Sequence, residues 1–337
     1  MDWEGRCLRM GAAAVLCAGL LRLGASGYLA PVGQVLQDPN LASFLVYLQT
    51  GRVVRLSPEP PPSPAVSQTL PPQTAVQEPT QPIALPVFSG DDASGIPITY
   101  NCDYQPDLEE LLTRELRWDL HTDQPSVLIL HTHTSESYTR RPGDTYEESG
   151  DYRTLDPEYN VLSLGDLLAQ RLEEAGIHVI HDTSFHDYPS YNSAYSHAAA
   201  STEAILAEHP DIQLVLDLHR DAADTPTGQL VTECSIGSET SAQLMMVVGT
   251  DAGGLDNPGW EENLSIALKL QALLEQENPG ICRPINFTYH RYNQHLGQHA
   301  LIVEVGAAGN TLPQAKLAVN ALADAIIALS KGTSPPN

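Results

Sequence analysis

Three short apolar runs each deliver chemistry-bearing side chains, and this pattern constrains the chain more than any other. VLIL (127–130) opens into HTHTSES (131–137), QLVLDL (213–218) leads to His219, and ALIVEV (300–305) carries Glu304 within it. Runs of four to six apolar residues of this kind read as core strands. In open α/β sheets, ligands bind outside the C-terminal ends of the strands. A polar group that ends an apolar strand is costly to bury without a partner, so three such endings in one domain call for a shared explanation.

Helical patterns fill the intervals. Residues 107–118 place Leu108, Leu111, Leu112 and Leu116 on one face, and Pro125 breaks the chain before the first run. Residues 162–175 read as a helix stopped by Gly176, and residues 198–208, 261–277 and 313–329 give three more. HVIHD (178–182) and residues 244–249 are further strands, and residues 137–159 form a polar loop. Strands alternating with helices predict an α/β fold, a mainly parallel sheet flanked by helices on both faces.

The polar groups suggest a metal site. His133 and Glu136 form an H-x-x-E pair that can hold one Zn²⁺ through a nitrogen and an oxygen if the chain turns sharply after its strand. His131 is the rival to His133, because alternate strand residues face the same way and one of the two would then serve as a hydrogen-bonding neighbour. His219 offers a third ligand, with Asp217 or Asp221 available to orient its ring. Arg220 can stabilise an oxyanion or clamp a substrate carboxylate, or simply pair with Asp217 or Asp221. Glu304, in an otherwise apolar strand, suits a general base acting on a metal-bound water. The chain has no G-x-S-x-G nucleophile turn, and GTDAGG lacks the lysine of a phosphate-binding loop.

The strings HTHTSESY, YNVLSLGD, HDTSFHDYPSYN, VLDLHRDA, VVGTDAGGLDNPGWEENL and NQHLGQHALIVEVGAAGNT resemble the stage II sporulation protein P family of cell-wall hydrolases. The resemblance runs from about residue 87 to about residue 331. It implies a fold like that of zinc amidases and carboxypeptidases. The implied activity is that of a zinc-dependent N-acetylmuramoyl-L-alanine amidase, with cross-link endopeptidase activity in some members, acting on septal peptidoglycan during engulfment. It puts the metal site on the HTHTSES segment and His219, and the catalytic acid on Glu304. Because related amidases place a ligand near residue 158, Glu158 competes with Glu136. Implied partners are peptidoglycan and the stage II sporulation proteins D and M. The tyrosine-rich loops HDYPSYN (186–192) and YHRYNQH (289–295), with His186, His290 and His295, suit a groove for sugars and peptide stems or serve only to pin their loops. The alternative function is a zinc-free peptidoglycan-binding scaffold that recruits other hydrolases.

A formal net charge of −25 argues against nucleic-acid binding, since even the densest cationic spot, Arg140 and Arg141, is followed by Asp144, Glu147, Glu148 and Asp151. Arg6 and Arg9 precede an apolar run, residues 11–21, that Arg22 interrupts. Residues 1–30 therefore read as a membrane anchor or a signal segment, and the resemblance implies the anchor. Residues 31–86 hold a short helix (41–49) and a linker (57–86) that takes ten of the 26 prolines and so cannot build a core. Residues 87–337 form the catalytic domain, expected outside the cytoplasm in the septal space. Of the five cysteines, Cys234 and Cys282 can pair in an oxidising compartment, and free buried thiols are the default.

Overall fold

The structure, a computed structural model, describes residues 95–226 and 228–331. The anchor, short helix and linker expected over residues 1–86 lie outside the described residues.

Seven strands form one sheet: β1 (Ile98–Asn101), β2 (Val127–Leu130), β3 (Val179–His181), β4 (Leu214–Asp221), β9 (Leu244–Gly249), β10 (Ile285–Thr288) and β11 (Ala300–Ala307). Their order is β1-β10-β9-β11-β4-β2-β3. Neighbours are parallel except β9 and β11, which run antiparallel. Short hairpins, β5 (Asp224–Thr225) with β6 (Gly228–Gln229) and β7 (Glu233–Ile236) with β8 (Glu239–Ala242), fill the stretch between β4 and β9. The mainly parallel sheet is the one the alternation predicts.

Five helices accompany it among the described residues: α1 (Leu108–Thr113), α2 (Leu162–Glu174), α3 (Ala194–Glu208), α4 (Trp260–Glu277) and α5 (Leu312–Lys331). Helix α1 is capped by Asp107, whose carboxylate accepts from the Glu110 N–H at 3.0 Å. The periodicity predicts this helix to residue 118, but it ends at Thr113 because Arg114 turns to extended backbone. The Arg114 guanidinium clamps Glu110, Glu261 and Glu262, while Leu116 and Trp118 are buried beyond the helix end. Packing overrides helical spacing here.

The helices are unequally shared between the two faces. Ile129, Leu216, Leu218, Met246, Val303 and Val305 belong to one large core with residues of α1, α2, α4 and α5. Leu128, Leu130, Val215 and Ala300 face the other way, against Ala198, Ile205 and Leu206 of α3. Helix α5 is long and apolar enough to cross a membrane by length and composition alone, yet half of it is buried in this core.

The thinly covered face positions the site. Successive strand residues alternate faces, so Asp217 and His219 share the side of Val215, and Glu304 that of Ile302. From β2 the chain moves outward over α2 to β3, then returns past β2 to β4 by way of α3 on the opposite face. The chain leaves β2 toward β3 on one side and β4 toward β9 on the other, so the strand order reverses between β2 and β4, and in open α/β sheets such a reversal opens a crevice at the C-terminal strand ends.

Candidate active site

Strand β2 ends at Leu130, and the HTHTSES segment leaves it as a tight turn in which the Glu136 N–H donates to His133 O at 3.0 Å. Nearly every polar group of the turn is tied down. Asp217 takes the Thr132 N–H at 2.7 Å and its hydroxyl at 2.6 Å. Thr134 donates to His131 O and Ser184 O, and Ser135 donates its hydroxyl to Asp187 at 2.6 Å. Arg153 completes the brace, 2.7 Å from Asp187 and 3.5 Å from Glu136.

The turn separates the two histidines. His131 remains under the sheet on the side of α2, its Nδ1–H donating to Leu218 O at 3.0 Å and its Nε2 lying 2.9 Å from His181 Nε2. His133 crosses to the thinly covered face, stacks on Tyr191 with ring centres 4.4 Å apart, and meets His219 edge-on at 5.4 Å. The expectation that residues 131 and 133 face alike fails because the strand has already ended.

Strand β4 runs on to Asp221, so His219 and Arg220 lie within it rather than after it. His219 is held between two carboxylates, Nδ1 at 3.5 Å from Glu136 Oε2 and Nε2 at 2.9 Å from Asp217 Oδ1. Asp221 instead pairs with Arg283 at 2.7 Å. Arg220 is buried, with its donors committed to Ser137 O, Tyr152 O and Glu136, so it braces the turn from behind. Glu304 is the Cα partner of His219 in the parallel β11–β4 register. It is only partly buried as a residue, but its Oε2 is shut off from solvent and has no hydrogen-bond partner.

Electrostatics sort these groups. Burial pushes the His131 imidazole down to about 3 and that of His133 to about 4, so both are neutral at pH 7. Burial would also raise the Glu136 carboxyl, but His219 and Arg220 beside it outweigh this and hold it at about 2. His219 is displaced well upward, its own burial overcome by Asp217 and Glu136. Glu304 is pushed up to about 8, chiefly by burial, with Glu136 and Asp221 adding and His219 opposing.

A stability prediction follows for protein stripped of metal by chelation. With the Glu304 pKa raised from 4.5 to about 8, the folded state binds more protons than the unfolded chain across that window. His219 has the same sign. The contribution of these two groups is therefore fullest at low pH within the window and is lost as pH climbs toward 8, while His131 and His133, lowered by burial, act in the opposite sense up to about 6.5. The difference in melting temperature between the metal-free natural chain and its Glu304→Gln variant isolates the Glu304 share, and should shift against the natural chain between about pH 5 and about pH 8. A difference that is constant over this range would contradict it.

His131 supports a second prediction. A Cβ at Gly165 of α2 would lie 2.3 Å from His181 Nε2 and 2.6 Å from His131 Nε2. Gly165→Ala gains roughly 1 kcal/mol of helix propensity but forces both rings aside, an overpacking cost of about 1–3 kcal/mol. Thermal denaturation should show a net loss of stability, and a gain would refute the close approach.

The structure thus brings His133, Glu136, His219 and Glu304 together and leaves His131 and Arg220 behind them. Glu158 is exposed in the loop, its N–H donating to Asp156. His186 binds Asp182 at 3.1 Å and pins its loop. Asp187 and Arg153, the braces of the turn, escape a reading by motif. Asp187 sits unread in HDYPSYN, and Arg153 shows only as a lone cation among Glu147, Glu148, Asp151 and Asp156. Cys102, Cys234 and Cys282 are free thiols, and burial raises that of Cys282.

The donor set suits a zinc ion. The 3.5 Å between His219 Nδ1 and Glu136 Oε2 is close to the ~3.4 Å between two ligands of a tetrahedral ion with bonds of about 2.1 Å. His133 Nδ1 is buried without a hydrogen-bond partner, and Asp217 Oδ1 lies 2.9 Å from the second ring nitrogen of His219, a charge contact without hydrogen-bond alignment that still sets a carboxylate where one orients a ligand histidine. Among the described residues no three His, Cys, Asp or Glu side chains are already closed around one point. The fit therefore rests on donor chemistry and on the Glu136–His219 edge.

Known proteins resemble the chain at three levels. Stage II sporulation protein P of Bacillus subtilis (strain 168) is 29% identical over 215 residues, 60% of this chain and 50% of that protein, so the chain spans about half the length of this curated relative. Solved structures similar to it include the apo form of an N-acetylmuramyl-L-alanine amidase from Mycobacterium abscessus, 12% identical with a TM-score of 0.37, covering 61% of this chain and 99% of that one. Another is an amidase from Clostridioides difficile in complex with the GerS lipoprotein, 14% identical with a TM-score of 0.31, covering 61% and 94%. The family profile of stage II sporulation protein P matches residues 73–327, which include every group of the crevice described above. On that match, the chain belongs to the stage II sporulation protein P family.

Proposed function

We propose that the chain is a peptidoglycan hydrolase of sporulation, a zinc-dependent amidase that cuts the bond between the lactyl group of N-acetylmuramic acid and L-alanine. The observation that carries this reading is the unpartnered Oε2 of Glu304, shut off from solvent beside a His219 held by two carboxylates. A carboxylate kept without a partner at the mouth of a crevice has the disposition of a general base.

His133, Glu136 and His219 would hold the zinc, which when bound polarises an amide carbonyl and makes a water acidic. Burial alone would keep the Glu304 carboxyl largely protonated at pH 7, and its ionised form would be favoured by the positive charge of a bound zinc nearby. Glu304 then accepts the proton of the attacking water and delivers it to the nitrogen of the leaving amine, so the C–N bond breaks as a C–O bond forms and no other reactant is needed. Asp217 keeps the His219 ring oriented. Arg220 and Arg153 hold Glu136 and the turn, acting through them rather than on the substrate. The membrane anchor, a septal location and partnership with the stage II sporulation proteins D and M belong to the same proposal.

Digestion of purified sacculi with the protein, followed by mass spectrometry of the products, tests it. Stem peptides with a free L-alanine amino terminus are expected. New termini within the cross-links would make the chain an endopeptidase, and binding without any release would leave the scaffold reading.

A further inference from the structure

Two loops flank the crevice, and aromatic rings join them in one line. Tyr191 stacks on His133, which meets Tyr195 edge-on at 5.6 Å. Tyr195 stacks on Tyr292 at 5.7 Å, Tyr292 meets His290 at 5.8 Å, and His290 meets Tyr289 at 4.0 Å. The middle of the line is sunk and its ends stand in solvent, Tyr191 54% and Tyr289 48% exposed. Of the seven exposed large hydrophobic residues among those described, three (Tyr188, Tyr191 and Tyr289) lie on these two loops, a concentration that isolated surface residues do not explain.

The line is built rigidly. Asn293 Nδ2 donates to Tyr195 O at 2.8 Å, tying the second loop to the first turn of α3, which follows the first. The backbone of the second loop rests on bare Gly249, where a Cβ would lie 2.2 Å from His290 O. Tyr292 takes a left-handed conformation, φ 51°, which non-glycine residues rarely adopt and which the surrounding contacts must impose. A surface held in advance loses little freedom when a ligand lands on it.

We propose that this aromatic line is a binding rail for the glycan strand, with a sugar ring lying on the exposed Tyr289 at its open end, while at the other end the Tyr191 ring is already engaged by His133 and by the Arg153 guanidinium 4.8 Å from its centre. The inference rests on the proposed function, since the bond cut there joins a glycan to a peptide and one side of the crevice must hold the glycan. A pyranose ring has an apolar face and a rim of hydroxyls. A tyrosine presents a flat apolar face of similar size and a polar tip. The charge of the chain favours the same occupant. At a formal net charge of −25 the chain favours the glycan backbone of the intact wall, whose lactyl carboxyls are tied up in amide bonds, over the carboxylates of a free peptide.

The test is direct binding of oligosaccharides of N-acetylglucosamine, an uncharged stand-in for the glycan strand, to the full chain. Tyr289→Ala should weaken binding about three- to tenfold, the contribution of one aromatic stack. Tyr289→Phe, which keeps the ring and controls for folding, should bind as the natural chain does. Unchanged binding by Tyr289→Ala overturns the rail, as does a natural chain that binds free stem peptides and not the oligosaccharides. Release of stem peptides from sacculi by the natural chain reports on the proposed function whichever way the binding falls, so the two ideas fail separately.

Discussion

Glu304→Gln should lower the release of stem peptides from sacculi by about 10²–10⁴-fold, the usual worth of general acid–base help. The amide keeps the shape of the side chain but cannot accept a proton. Because Glu304 is proposed to act on the attacking water and not on the metal, metal content and sacculus binding should be retained. Near-normal turnover by this variant would remove Glu304 from the mechanism. Loss of metal would make Glu304 a ligand and leave the base unassigned.

His219→Ala has the other large effect. It removes the one side chain that touches both Glu136 and Asp217, leaving two buried carboxylates facing an empty space. Zinc content and activity should both be lost, as measured by elemental analysis and sacculus digestion. Stoichiometric zinc in that variant would refute the ligand set. Asp217→Asn, which acts through the His219 ring and through its hold on Thr132, should weaken zinc about 10- to 100-fold without abolishing it. His131→Ala and His133→Ala separate the rival histidines. The buried His131, bound to Leu218 O and His181, is expected to affect stability more than metal content, and the unpartnered His133 the reverse.

Much of the fold was legible because apolar runs and helical spacing report burial directly. The helices read at 162–175 and 261–277 are α2 and α4, within one residue at each end. Strands β1 and β10, ITYN and INFT, were not legible, since each is four residues long and half polar. They are strands because each adds to the β9 edge of the sheet, a fact of tertiary pairing rather than of local preference. Helix α1 was read too long for the same reason, its last turn given up so that Trp118 could be buried.

Strand patterning alone was enough to bring four groups to one place. Strand runs end at the C-terminal edge of the sheet, and His133 and Glu136 after β2, with His219 and Glu304 near the ends of β4 and β11, are carried there by the geometry of a parallel sheet. Which way each side chain faces, and what braces it, follows from contacts between distant segments. Whether Arg220 reaches substrate or braces a turn depends on which carbonyls surround its guanidinium, and Ser137 O and Tyr152 O come from a loop some 70 to 80 residues earlier in the chain. Whether His131 or His133 faces the crevice depends on the residue at which β2 stops, and Asp217 and Asp187 fix that by capturing Thr132 and Ser135. Spacing along the chain places a side chain on a strand or a turn; hydrogen bonds from distant segments determine which way it faces.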